Sequence, residues 1–361
     1  MSDTLRRVLF LSHSHAFRAF RVGSHHYARE LARRGAEVVH LSTPISRTHR
    51  LLGRVSASEE AVVPRGAHTD ADGVTHIVPR TLLPTPIGKL SIAEQLSRNG
   101  IQTDFDAVLI DQPLLWSESI RELSPRLIYR PTDLYPAGTK NRLQQQIVAA
   151  SDAVIATSTE VLRGLGSIQQ PTLVLGNGVD IAHFTQTPPS LDERQPVCVY
   201  VGALDGRFDW TQLASWAAAR PQVRFVVAGP APEPPVALPG NVELVGAVSY
   251  DALPALLHSA RVGMLPLSDD PLNAGRSPMK LYEYLTAGLT VLARETPVIV
   301  PDADTGLITY SAAEDAVAAL DRALAHPSPN VAGATRAAGE SWQAKTDALT
   351  EFVLSLSKHS Y

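Results

Sequence analysis

The stretch NAGRSPMKLYEYLTAGLTVLA, residues 273–293, places small residues, a lysine and a glutamate in an order suited to a phosphorylated ligand. Gly275 and Ser277 lead into a predicted helix whose second residue is Pro278, where a missing N–H costs nothing, and Gly288 ends it before another apolar run. Such a start aims free N–H groups and the positive end of the helix dipole at one small volume, and Lys280 adds a full charge there. Glu283 follows three residues later on an adjacent part of the same face, where a carboxylate can accept two hydrogen bonds from a ribose diol. The same spacing also describes a solvated i,i+3 ion pair worth about 0.2–0.5 kcal/mol. The chain has only five lysines, Lys89, Lys140, Lys280, Lys345 and Lys358, and the one at a helix start after a glycine-containing loop favours the ligand reading.

Asp133, in RLIYRPTDLYP (126–136), is the candidate catalytic base. It follows an apolar run and so falls at the carboxyl end of a predicted strand, where parallel sheets bind their ligands. A partly desolvated carboxylate there can take the proton of an attacking hydroxyl, an effect of about 10²- to 10⁴-fold. The competing use is as a cap for a helix beginning near Tyr135 or Thr139. Four histidines, His13, His15, His25 and His26, gather around the first predicted strand and helix. No acidic residue stands at ligand spacing beside them, so no metal is expected. His13, His15 and His25, with Gly23 and Ser24 at the helix start, are read as lining for an acceptor hydroxyl or phosphate. Arg18, Arg21, Arg47, Arg50 and Arg54 fall on adjoining loops, where they suit a lipid diphosphate or an anionic membrane surface as well as plain solvation.

Several function classes drop out. The turn after the first strand reads SHSHAFRAFRVGS, without the Gly-x-Gly-x-x-Gly of a dinucleotide enzyme, and no Walker phosphate loop occurs. A formal net charge of −4 is too weak a field for duplex nucleic acid as main partner, although the first 60 residues alone hold ten arginines against five carboxylates. The one cysteine, Cys198, allows neither an intrachain disulfide nor a thiolate metal cluster, which suits a reducing cytoplasm. No run approaches the roughly 18 apolar residues of a membrane span, so the protein is expected to be soluble or peripheral.

The elements that must position these residues alternate as in an α/β protein. At roughly 150 residues per domain, 361 residues make a little over two domains, and 44% hydrophobic content is enough to give each a core. RVLFLSH (7–13), AEVVHLST (36–43), DAVLID (106–111), RLIYR (126–130), DAVIATS (152–158) and PTLVLGNG (171–178) read as buried strands, with helices at 24–35, 90–98, 139–150 and 159–166. HFTQTPPSLDERQP (183–196) reads as a linker. Strands then resume at 197–204, 223–230, 241–248, 261–268 and 289–295, with helices near 209–219, 250–259 and 277–287. The expected architecture is therefore a Rossmann-like domain over 1–187, a second over 188–340, and a helix over 341–361 packing back towards the first.

VYVGALDGRFDW, NVELVGAVSYDALPALLHSARVGMLPL and SPMKLYEYLTAGLTVL, in that order, resemble the donor half of GT-B glycosyltransferases. LVLGNGVDIAHF (173–184) is similar to the asparagine-glycine-valine-aspartate signature that these enzymes carry before the hinge. Within that superfamily, FLSHSHAFRAFRVGSHHYARELARRG and RLIYRPTDLYP look most like the xanthan glucuronosyltransferase and teichuronic-acid-type transferases. The resemblance implies two doubly wound domains facing each other across a cleft and transfer of a sugar from a nucleotide diphosphate, UDP by preference, without a metal or other cofactor. Lys280 and the backbone at Pro278 and Met279 would hold the diphosphate, Glu283 the ribose, and the backbone from Val245 to Val248 the base. Gly202, Arg207 and Ser277 complete the implied donor set. Asp133 matches the aspartate proposed as base in the glucuronosyltransferase, and a single displacement would invert the anomeric centre. The acceptor would be a carbohydrate, a lipid-linked sugar or a small molecule. Two alternatives stay open: a nucleotide-sugar 2-epimerase of the same architecture, and a non-catalytic partner in polysaccharide assembly.

Overall fold

A computed structural model describes residues 4–17, 20–53, 60–88, 90–186, 194–230, 233–311 and 316–356. The chain divides into two compact units, Met1–Gly176 with Lys345–Tyr361, and Asn177–Ala344. The first is built on strands β1 (Arg7–Ser12), β2 (Glu37–Ser42), β3 (Ile45–Ser46), β4 (Ala67–Thr69), β5 (Val74–Ile77), β6 (Arg80–Thr81), β7 (Ala107–Ile110), β8 (Leu127–Tyr129), β9 (Ala153–Ala156) and β10 (Thr172–Val174). Eight form one sheet in the order β10-β9-β8-β7-β1-β2-β5-β4, parallel except for β4, while β3 and β6 make a separate parallel ribbon. Consecutive apolar residues such as Leu9, Phe10 and Leu11 are all buried, which is why β1 reads as an unbroken hydrophobic run and not as an alternating one.

The second unit carries β11 (Val197–Val201), β12 (Arg224–Ala228), β13 (Val242–Gly246), β14 (Val262–Leu265), β15 (Thr290–Arg294) and β16 (Leu307–Tyr310) in an all-parallel sheet ordered β13-β12-β11-β14-β15-β16. Val197, Val199 and Val201 belong to the apolar cluster on one face, whereas Cys198 and Tyr200 belong to the cluster on the other. Helices therefore cover both faces, as in a doubly wound fold. Cys198 lies wholly inside, and burial pushes its thiol far above the usual range.

The strands expected from sequence are present at their expected places. Those that the sequence reading passed over, β3 to β6 and β16, are two to four residues long, too short for a period to show. The unit boundaries differ from the expected 187/188 and 340/341. Val179 and Phe184 are buried in the second unit's core, so the Asn-Gly-Val-Asp segment belongs there and the first boundary moves back to Gly176. The terminal helix, Trp342–Ser355, joins the first unit from Lys345 onward, where Arg34 donates to Asp347 at 2.7 Å. Residues 187–193 of the expected linker, and Arg18 and Arg54, lie outside the described residues.

Candidate functional site

In the second unit the first three strands run into glycines at their carboxyl ends. β11 leads to Gly202, β12 to Gly229, and β13 ends on Gly246. Gly202 N–H donates to the Ala228 carbonyl at 2.8 Å, and Gly229 N–H donates to the Gly246 carbonyl at 2.8 Å, so the three turns are laced together. A Cβ on residue 229 would run into the Gly202 carbonyl, and one on residue 202 would occupy the place of Lys280 Cε and Nζ. Gly202 also holds φ at +151°, which L side chains rarely adopt. Glycine at these positions lets backbone and ammonium share one small space.

Lys280 stands in the first turn of the helix Met279–Thr286, which no side chain caps. The sequence reading began that helix at Ser277 with Pro278 inside the first turn. Pro278 instead takes the cap position in extended conformation, ψ 119°, and Ser277 lies outside the helix. Ser277 has another use: its Oγ accepts from Asn177 N–H at 3.1 Å, and its carbonyl accepts from Asn177 Nδ2 at 2.6 Å. Asn177, which opens the Asn-Gly-Val-Asp motif, was not among the expected site residues, although the motif was the signal for it. Val201 N–H donates to the Tyr284 hydroxyl at 2.9 Å, which ties the same helix to β11.

Lys280 Nζ lies 5.5 Å from the Tyr200 ring centroid. Among the described residues no carboxylate comes within ion-pair distance of it. Burial pulls the ammonium below the ordinary lysine range, Arg276 and Arg207 push it the same way, and Glu283 opposes them. Glu283 is itself buried, which raises its carboxyl above the ordinary range against the pull of Lys280. A half-buried cation near two guanidinium groups is short of negative charge, and a bound anion would supply it. Arg207 is held by Asp205 at 2.6 Å, and its loop is fastened by Ser268 N–H to the Arg207 carbonyl at 2.9 Å. Val245 is exposed on β13, the edge strand, whose outer backbone groups face away from the sheet, and Val248 is half-buried against the core.

In the first unit the adjacent strands β1, β7 and β8 carry His13, Asp111 and Asp133 just beyond their carboxyl ends. Asp111 and Arg130 form a buried two-point pair at 2.9 and 2.6 Å. Asp133 is half-buried and accepts from Thr132 Oγ1 at 3.2 Å. The helix that follows, Gly138–Ala150, starts from Ala137 without any side-chain cap, so Asp133 does not serve it as a cap. Burial lowers the His13 imidazole, while Asp111 and Asp133 act to raise it, so a largely neutral ring sits near both carboxylates. His13 and His15 line a cavity of about 220 Å³ together with Thr43, His49, Gln112 and Leu114.

Gly23, Ser24 and His25 are turned inward. Ser24 Oγ lies 2.8 Å from Ser12 Oγ and 3.1 Å from His40 Nε2, all buried. His25 Nδ1 accepts from Val22 N–H at 3.1 Å and its Nε2 meets the Ser14 carbonyl at 3.0 Å, which occupies both ring nitrogens and fixes a neutral tautomer. Of the residues read as acceptor lining, the structure brings His13 and His15 to one cavity and gives the other three to the packing of the first helix. Among the described residues no group of three or more His, Cys, Asp or Glu is arranged to hold a metal ion.

Residues 195–326, which include all six strands of the second unit's sheet, match the family model described as glycosyl transferases group 1. No curated protein matches the chain. Among solved structures it is similar to the Alr3699/HepE protein of Anabaena in complex with UDP-glucose, with 14% identity, a TM-score of 0.68, and coverage of 97% of this chain and 100% of that one. It is also similar to a sucrose-phosphate synthase from Thermosynechococcus elongatus, with 16% identity, a TM-score of 0.66, and coverage of 96% and 98%. A third likeness is to AviGT4, a glycosyltransferase of avilamycin A biosynthesis, with 15% identity, a TM-score of 0.65, and coverage of 97% and 98%. The chain thus has the α/β fold of GT-B glycosyltransferase structures.

Proposed function

We propose that this protein is a glycosyltransferase that moves a sugar from a nucleotide diphosphate, UDP in the first instance, to an acceptor hydroxyl. The observation that carries the reading is Lys280: its ammonium has no ion-pair partner among the described residues, stands at an uncapped helix start against Gly202, and has Glu283 buried one turn on, all inside the segment that matches the group 1 model. As the anomeric bond breaks, charge grows on the departing diphosphate. Lys280 and the N–H groups of the uncapped first helical turn from Met279 oppose that charge without a metal ion. Glu283 accepts the ribose hydroxyls, Arg207 stands beside the phosphates, and the outer backbone of β13 reads the base. The choice of uridine is supported by the complexes of the Anabaena HepE protein with UDP and with UDP-glucose.

On the first unit the acceptor is a sugar, lipid-linked or small molecule seated at the cavity of His13 and His15. Asp133 takes the hydroxyl proton, and one displacement inverts the anomeric centre. The His13 and Asp133 motifs support kinship with the xanthan glucuronosyltransferase group. The arginine-rich first unit and the lone buried cysteine support work in the cytoplasm at the inner face of a membrane. The test is calorimetric titration with UDP, GDP and TDP, followed by incubation with the sugar of the tightest binder, with and without acceptor extracts. Binding of one nucleotide and acceptor-dependent loss of its sugar is the expected result. An epimerised donor formed without acceptor, or no nucleotide binding, overturns it.

A further inference from the structure

Two loops of the second unit meet near Lys280. One follows β11 and runs from Ala203 to Asp209; the other follows β14 and runs from Pro266 to Pro278. Each carries a single arginine, half-buried, Arg207 on the first and Arg276 on the second. Both guanidinium groups act on the Lys280 ammonium, Arg276 more strongly than Arg207.

Ser268 and Asn273 lace the two loops together. Ser268 N–H donates to the Arg207 carbonyl at 2.9 Å, and Ser268 Oγ donates to the Gly206 carbonyl at 2.7 Å. Asn273 is 3% exposed, and its Nδ2 donates to the carbonyls of Ser268 at 3.0 Å and of Arg207 at 3.2 Å. Its own carbonyl accepts from Arg276 N–H at 3.2 Å. One buried side chain and its carbonyl therefore hold the main chain at the root of both arginines. The amide is needed for this: its two hydrogens go to carbonyl oxygens on different loops, where aspartate would offer none and serine one. Turning the amide over would set Oδ1 against those same oxygens, so the loops fix its orientation. The short turn Pro271–Gly275 that carries Asn273 is itself held by Asp270, which accepts from Leu272 N–H and from Asn273 N–H, each at 2.9 Å.

We propose that Asn273 is a positioning residue for the donor diphosphate: by making one body of the two loops it sets Arg207 and Arg276 beside the phosphates that Lys280 holds. The inference rests on the donor site proposed above and adds Arg276 to it. A long side chain loses rotamer freedom when it binds, and a root that is already fixed lessens the loss. Arg207 is anchored at its other end as well, by Asp205.

The test is calorimetric titration of the full chain with UDP. The proteins are the unaltered chain, Asn273→Ala, Arg207→Ala with Arg276→Ala, and the variant with all three changes. Asn273→Ala should weaken UDP about tenfold. In the background without the two arginines the same change should cost less than about twofold, because nothing is left to position. An asparagine that serves stability alone would cost the same factor in both backgrounds, and that result overturns the inference. So does full UDP affinity in the variant lacking both arginines. Should Asn273→Ala not fold, Ser268→Ala carries the same cycle, since it loosens the Arg207 loop through Gly206 from a half-buried position; unchanged UDP affinity there counts against the inference too. An unaltered chain that binds no UDP overturns the donor site itself, whereas one that binds UDP through a cycle without coupling overturns only the role of Asn273.

Discussion

Lys280 occupies the place where a side chain on residue 202 would begin. The ammonium and the end of β11 are therefore one structural unit, and Gly202 can be altered only by moving Lys280. Lys280→Ala removes a charge-assisted contact worth about 1.5–3 kcal/mol, so UDP affinity by calorimetry should fall roughly ten- to hundredfold. Gly202→Ala should cause a loss of the same order in the native background and a smaller one once Lys280 is alanine, since the group it displaces is gone and only the backbone strain at φ +151° remains. Additive losses in that cycle would mean that the two residues act separately.

On the proposed function, the same lysine should give donor binding a pH dependence. Without ligand, burial and the neighbouring guanidinium groups depress its pKa, and a bound diphosphate raises it again. The ammonium is the binding form, so affinity should be full below the depressed value of the free site. It should then weaken, up to tenfold per pH unit, as pH rises from that value towards the ordinary lysine pKa of about 10.4. Titrations in buffers of different ionisation heat should show proton uptake on binding in this alkaline window. Lys280→Arg should flatten the dependence, because a guanidinium stays charged throughout.

Asp133→Asn keeps shape and hydrogen bonding near Thr132 while removing the proposed base. Turnover should fall by at least about a hundredfold with UDP affinity intact, as expected for loss of general-base assistance. Full activity in that variant would end the assignment of Asp133. His13→Gln is the companion measurement. His13 senses Asp133 electrostatically and lines the cavity proposed for the acceptor, so its loss should raise the acceptor KM.

How far these residues were visible in the sequence depends on the distance over which each relationship acts. Lys280 and Glu283 were legible because helical spacing alone puts them on one side, and Asp133 because strand ends are where α/β sheets act. The start of that helix was misplaced by two residues, since an extended Pro278 serves as cap and not as first-turn residue. The contact of Gly202 with Lys280 depends on which strand ends meet which helix, and no local pattern encodes that. His25 looked like a ligand-facing histidine at a helix start, but its ring turned back to the Val22 N–H and the Ser14 carbonyl, because buried backbone groups must be satisfied. Pairing between Asp111 and Arg130 becomes readable only once β7 and β8 are known to be neighbours.

His25, His40 and His76 form a buried series, with ring centroids 4.6 Å apart for the first pair and 5.5 Å for the second. Burial lowers all three, His25 to about 3, and Asp70 at 2.8 Å from His76 Nε2 only partly offsets this. Folded-state values below the unfolded value of about 6.5 mean that the unfolded chain binds more protons as pH falls. Stability from these rings is therefore complete above about 6.5 and is lost below it, by up to about 1.4 kcal/mol per pH unit for each histidine. Urea melts of the full chain between pH 7 and pH 4 should show this slope in the transition of the first unit. His25→Gln should lessen the slope while costing some stability at neutral pH through the lost cap. A first-unit transition indifferent to pH in that range would mean that the cluster is hydrated and not dry.

The Asp111–Arg130 pair should behave as a buried structural charge pair. Asp111 is fully buried and Arg130 nearly so, and the guanidinium carbon also lies 5.2 Å from the Tyr27 ring centroid. Removing one partner leaves a charge in the interior, so Asp111→Ala should destabilise the first unit by about 3–5 kcal/mol. Replacing both, as Asp111→Leu with Arg130→Met, removes the stranded charge and should recover most of that loss. The double variant also separates structure from chemistry. If the pair acts only by holding β7 and β8 in register, the folded double variant keeps its UDP affinity and loses turnover only as far as Asp133 shifts. A single substitution costing under about 1 kcal/mol would show that water reaches the pair and that it is not buried in solution.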